Sequence, residues 1–330
     1  MRALAGLCLI ACLAPLRGQD LASLPPYRPA APVTGQIGIW GDDGMKTVVG
    51  YWEEGFRRFH PQARFAVTLK GSSTGMAGVY SGVADLALLG REIEPVETMA
   101  FAWIFRYPPG RIEVANGSVG AAGKSPAVAV YLHRDNPLGR LTLAQLDAAF
   151  GCEHRRGAAK ARTWGDLGLG GDWALRPIHL YAYDVETGRG AFVRRVVLRG
   201  SRKWDWDLLT EFSGPDADRQ IVAALARDPF GIGLASPAAA TTEVKAVGLA
   251  EGPAGPYSTP TRADLIGRTY PLGRVVTAYV NRAPGHPLDP KVAEFLRYIL
   301  SREGQEDVMR ERDYLPLSAA TAAEQVLRLN

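Results

Sequence analysis

The tightest constraint on this chain lies in residues 35–90, where short apolar runs alternate with helical periodicity and each run ends in a small-residue turn. Residues 37–40 form an apolar run that stops at Gly41, Asp42, Asp43 and Gly44, a turn signal. Val48, Val49, Trp52, Phe56 and Phe59 then recur at helical spacing. His60-Pro61 ends that helix, because proline disfavours helical geometry in the residue before it. Residues 65–69 read as a second strand, closed by Lys70-Gly71-Ser72-Ser73-Thr74-Gly75; a helix over 75–81 and a third strand over 85–89 follow. Strand, loop, helix and strand in that order predict an α/β fold with a parallel sheet and right-handed crossovers. In such sheets a ligand binds beyond the carboxyl ends of the strands, where these loops meet.

The pattern returns further along. Residues 127–133 predict a strand and 141–150 an amphipathic helix with Thr142 as its N-cap. A strand over 178–183 leads through a turn into a helix over 187–198. Residues 274–281 form a late strand, and 291–301 and 303–310 the closing helices. No repeat of solenoid length is present. A chain of 330 residues is too long for one small core and suits one or two domains, or a single two-lobed unit.

The first residues follow different rules. Arg2 precedes an uncharged, apolar run over 3–14, too short to cross a bilayer as a helix, and Pro15 follows it. This is the pattern of a secretory signal over 1–18. Two processing sites fit: cleavage after Gly18, or a lipobox-like 9–12 in which Cys12 is lipidated. Residues 19–34, rich in proline, predict an extended linker. No later run is long enough to span a membrane, so an exported protein, periplasmic or lipid-anchored at the cell envelope, is expected. Cys152 is the one cysteine outside the signal, which excludes an intrachain disulfide. Loss of Arg2 and Arg17 takes the net charge from +4 to +2, and no basic stripe with interleaved aromatics argues for nucleic acid.

Several ordered segments resemble the phosphate-binding receptors of bacterial phosphate ABC transporters. Residues 70–76, followed by Asp85-Leu86-Ala87 and Gly90-Arg91, resemble that family's GSGTG and DIA..SR segment. Residues 141–150 with 163–168 resemble its LTLEQL and TWGDLG segment, and Tyr270-Pro271-Leu272-Gly273-Arg274, 288–305 and 314–317 resemble its C-terminal third. The likeness extends over 36–318. It implies a type II periplasmic-binding-protein fold, two lobes with a ligand cleft between them. We assign the two crossing strands to 128–132 and 275–280, which gives a first lobe of 35–127 with 278–330 and a second lobe of 128–277.

An oxyanion needs converging hydroxyls, helix N-terminal N–H groups and an arginine. The resemblance assigns these to Ser72, Ser73 and Thr74, to Thr187 and Gly188 ahead of Ala191-Phe192 in the 187–198 helix, and to the Gly44-Met45 amides, with Arg91 at the cleft. Alone, Ser72 to Thr74 read first as a helix cap, a preference that the resemblance reverses, and Arg91 reads equally as a surface ion pair with Glu92 or Glu94. The chain departs from the family at five positions. Asp42 stands for a serine, Gly44 for a threonine and Gly90 for a serine; Tyr183 replaces an arginine and Arg189 a threonine. Arg189 restores a cation from a new position, whereas Asp42 adds a carboxylate, costly beside a dianion unless compensated.

The expected function is therefore that of a monomeric receptor for a small anion, phosphate or a related oxyanion, feeding an ABC permease. The alternative is the same fold with phosphate binding lost, acting in sensing or partner binding. Catalysis is not expected. Asp42 and Asp43 read as a turn, the five histidines lack metal-ligand spacing, and neither Gly-x-Ser-x-Gly nor a Walker sequence occurs. No cofactor is called for.

Overall fold

A computed structural model describes residues 21–329. The signal sequence, its two candidate cleavage sites and Cys12 lie outside the described residues. The first strands and helices run β1 (Gly35–Gly41), α1 (Lys46–Phe59), β2 (Ala63–Leu69), α2 (Ser72–Tyr80), β3 (Leu86–Leu89), α3 (Pro95–Phe105) and β4 (Gly110–Ser118). The middle of the chain holds β5 (Ala129–His133), β6 (Arg140–Thr142), α4 (Leu143–Phe150), β7 (His179–Tyr183), α5 (Gly188–Val196), β8 (Leu209–Phe212), α6 (Ala217–Leu225) and β9 (Gly231–Ala235). After β10 (Val244–Ala246), β11 (Gly248–Ala250) and α7 (Arg262–Ile266) come β12 (Val275–Val280), α8 (Pro290–Ile299), α9 (Arg302–Glu311), β13 (Tyr314–Leu315) and α10 (Ala319–Leu327).

These strands form two main sheets, ordered β13-β4-β12-β3-β1-β2 and β10-β5-β9-β7-β8. The expected parallel pairing holds for β1 with β2 and β3, and for β7 with β8 and β9. Both sheets are nevertheless mixed, because β12 runs antiparallel between β3 and β4, and β5 antiparallel beside β9. The late strand returns from the other sheet and enters reversed, a placement that local periodicity does not encode.

Each sheet has its own core. Trp52, Phe56, Phe295 and Tyr298 pack on one face of the first sheet, and Met76, Val79 and Phe101 on the other. Phe150, Trp164, Phe192 and Ile221 fill the second lobe. The assigned crossing segments prove to be interior strands. Val275–Val280 pairs along its whole length within the first sheet, and Ala129–His133 within the second. The chain passes between sheets just before them, at 119–128 and 270–274, so the first lobe takes β12 entire.

Residues 21–34 are not a free linker. Leu24, Tyr27 and Val33 are buried against the first lobe, and the guanidinium of Arg302 donates to the Leu24 carbonyl at 2.9 Å. Val33 N–H donates to His60 Nδ1 at 3.1 Å, which leaves the proton on Nε2, 2.6 Å from the Tyr27 hydroxyl. That hydroxyl donates in turn to Glu294 Oε1 at 2.7 Å, which also accepts from Ala30 N–H at 3.0 Å. Proline richness describes a stiff backbone, and here the stiff segment is a strap laid over α1, α8 and α9.

Candidate functional site

The carboxyl ends of β1, β2, β3 and β7 face one cleft of about 460 Å³ between the two sheets. Asp42, Ser72, Ser73, Gly90, Arg91, Tyr183, Thr187, Gly188 and Arg189 all line it. Nine of the twelve residues expected from the sequence thus share one cavity. Gly44, Met45 and Thr74 do not line it; Met45 is in the first core, and the Thr74 hydroxyl donates to the Gly71 carbonyl at 2.8 Å.

On the first-lobe wall, Asp42 organises the loop after β1. One carboxylate oxygen accepts from Gly44 N–H at 2.9 Å and the other from the Ser72 hydroxyl at 2.5 Å. Met45 N–H bonds the Asp42 carbonyl at 3.2 Å, so the two amides expected to meet an anion close a turn instead. Ser72 opens α2 without capping it; its oxygen accepts from Gly90 N–H at 3.1 Å. Two departures from the family have steric reasons. A Cβ at Gly44 would lie 2.1 Å from the Gly123 carbonyl. A Cβ at Gly90 would lie 2.8 Å from Ser125 Oγ, whose hydroxyl donates to the Gly90 carbonyl. Ser125, on the first crossing segment, thus occupies the space beside Gly90 and ties that segment to the loop after β3.

On the second-lobe wall, Thr187 caps α5, accepting from Gly190 N–H at 3.1 Å. The first turn of that helix therefore faces the cleft with N–H groups that lack intrahelical acceptors. Tyr183 donates to Asp218 at 2.5 Å and carries the Arg189 guanidinium over its ring at 5.0 Å. Arg189 pairs with the same Asp218, which also accepts from Ser236 N–H at 2.6 Å. Burial and the Asp218 carboxylate push the Tyr183 hydroxyl well above its usual pKa. Arg91 is likewise committed. It grips Glu97 with both Nη atoms, at 2.6 and 2.8 Å, with Glu94 farther off at 3.7 Å and the Glu92 carbonyl at 2.9 Å.

Residues that sequence reasoning missed complete the cleft: Ser125, Phe212, Ser213, Asp218 beside it, and above all Arg274. Arg274 stands at the second crossing, 7% exposed. Its Nη2 reaches Glu92 at 3.1 Å, and its guanidinium lies 5.1 Å over the Phe192 ring of the second lobe. Burial, with Arg189 acting in the same sense, lowers its pKa to about 10, so it stays cationic at neutral pH. The one signal for it in the sequence was the Tyr270-Pro271-Leu272-Gly273-Arg274 likeness. Among the described residues no cluster of three His, Cys, Asp or Glu could hold a metal ion. No helix among them is long and apolar enough to cross a membrane.

A family model described as the PBP superfamily domain matches residues 27–303. The chain is 31% identical to the phosphate-binding protein PstS of Pseudomonas aeruginosa over 309 residues, covering 93% of this chain and 91% of the relative. Its fold is similar to that of PstS from Borrelia burgdorferi, at a TM-score of 0.57 and 14% identity, covering 86% of this chain and 98% of the other. An ABC-type phosphate transport receptor from Vibrio cholerae superposes at a TM-score of 0.51 and 19% identity, covering 84% and 99%.

Proposed function

Since the chain belongs to the PBP superfamily and, within it, to the PstS-type phosphate-binding proteins, we propose that it is an exported receptor that captures phosphate in the inter-lobe cleft for ABC-type uptake. The observation that carries this reading is that Ser72, Ser73 and Ser125 on one wall and Thr187 with the N-terminus of α5 on the other line one cavity, beside the buried Arg274. The cleft offers donors and charge and no assembled nucleophile or acid–base pair, which supports binding over catalysis.

Asp42 decides the form of the ligand. A carboxylate at the cleft repels an anion without protons. It accepts a hydrogen bond from one that still carries a hydroxyl, as phosphate does at neutral pH and sulfate does not. Thr187, Gly188 and the committed Arg189 complete the second wall. The two crossing segments serve as the hinge on which the lobes close. Upstream of Leu21, cleavage after Gly18 gives a free periplasmic protein and lipidation of Cys12 an anchored one; intact mass of the exported product separates the two.

The test is a thermal-shift and calorimetric series with phosphate, sulfate, molybdate, phosphonates, carboxylates and amino acids. Phosphate at 100 times its dissociation constant is expected to add about 2.7 kcal/mol of stability, with sulfate adding nothing. A shift with another anion alone would replace the substrate. Absence of any shift would return the protein to the partner-binding alternative.

A further inference from the structure

Of the cations Arg91, Arg189, Lys124 and Arg274 in or beside the cleft wall, the first three are already spoken for. Arg91 has both Nη atoms on Glu97, Arg189 is held by Asp218, and Lys124 divides its ammonium between Glu311 at 2.5 Å and the Gly44 carbonyl at 2.6 Å. Arg274 differs. It meets its carboxylate through a single Nη2–Oε2 contact of 3.1 Å, and Glu92 is shared with Arg195 of α5, 3.5 Å from its other oxygen. Arg274 Nε is buried and has no hydrogen-bond partner among the described residues. Buried guanidinium N–H groups are nearly always satisfied, and an orphan one beside a polar cavity marks a place where an acceptor is missing.

We infer that Arg274 is the cation that receives the phosphate charge, and that Glu92 holds its place until the ligand arrives. This rests on the cleft being a phosphate site. Nε and an adjacent Nη lie on one edge of the planar fork and are spaced to grip two oxygens of one anion. In the empty cleft that edge has half its complement, a carboxylate on Nη2 and nothing on Nε. An incoming phosphate takes the edge and releases Glu92 to Arg195, whose other attachment is the second lobe. Arg274 touches Glu92 of the first lobe and Phe192 of the second, so occupancy and closure act on the same side chain.

The experiment is calorimetry with inorganic phosphate on the purified protein and its variants Arg274→Gln, Arg274→Lys, Arg189→Gln, Arg91→Gln and Glu92→Gln. Arg274→Gln is expected to weaken phosphate at least a hundredfold and Arg274→Lys about tenfold, since an ammonium cannot bridge two oxygens. Arg189→Gln and Arg91→Gln should each weaken phosphate less than Arg274→Gln, because their guanidiniums are already held by Asp218 and Glu97. Glu92→Gln should tighten phosphate several-fold, a gain that a merely structural Arg274–Glu92 pair would not produce. Should Arg274→Gln fail to fold, Glu92→Gln decides: unchanged or weaker affinity overturns the proposal. Wild-type binding with the large loss at Arg189 or Arg91 overturns the assignment and leaves the phosphate reading standing. Wild-type protein that ignores phosphate overturns both.

Discussion

Two regions of this molecule take charged groups out of water, and they end differently. Under the strap, His60, Tyr27 and Glu294 form a chain in which every named donor has its acceptor: Val33 N–H to His60, His60 to Tyr27, Tyr27 and Ala30 N–H to Glu294. At the cleft, donors and carboxylates are as numerous, yet Arg274 Nε is left over. A closed polar network fixes one structure, and an open one stores an unmet interaction that a ligand can meet. The strap is therefore a seal and the cleft a receptor, although in both a tyrosine hydroxyl donates to a carboxylate.

The comparison can be broken from either side. Glu294→Ala strips the acceptor from Tyr27, Ala30 N–H and Arg297 together. It should cost about 3 kcal/mol in urea titration while leaving phosphate affinity within twofold. Asp218→Asn removes the counter-ion of Arg189 and weakens the acceptor for Tyr183 and Ser236 N–H. A loss of about 2 kcal/mol is expected in the empty protein. Saturating phosphate should narrow its gap to wild type, because the freed Arg189 can meet the anion, whereas a strap variant should keep its full gap. Tyr27→Phe interrupts the seal at one hydroxyl and should cost about 1 kcal/mol, again with unaltered binding.

The smallest effect is that of pH. Burial holds the pKa of His60 below its ordinary 6.5. Its contribution is thus fully present above the unfolded value and is lost as pH falls through the lower folded one. A protonated ring cannot accept from Val33 N–H. Relative to the intrinsic rate at each pH, amide exchange at Val33 should therefore quicken on acidification below pH 6.5 in the wild type, ahead of the cleft amides. Equal quickening at Gly90 would deny that the two regions are separate.

How far the sequence reached follows from what each residue answers to. Ser72, Asp42, Gly90 and Thr187 sit where a periodic strand hands over to a helix, so local pattern locates them and parallel pairing gathers them. Arg274 and Ser125 are set by the crossings, and Asp218 by partners outside its own helix, Tyr183, Arg189 and Ser236; Ser125 also has a left-handed backbone, φ 51°, that no periodicity announces. The mixed sheets escaped for the same reason, since β12 enters the first sheet only after the chain has built the second. The strap was misjudged because Leu24, Tyr27 and Val33 lack a period even though their burial is complete.

That strap fixes how the molecule would hang from anything upstream of it. Residue 21 joins the body where Arg302 begins α9, and Glu311, at the other end of that helix, holds Lys124 beside the cleft loops. Ten helical residues set the two points about 15 Å apart. A pull or a leash at the N-terminus therefore bears on the first lobe alone and away from the opening. On the closure proposed above, the second lobe would move without dragging that mooring, and the mouth would keep its bearing to it.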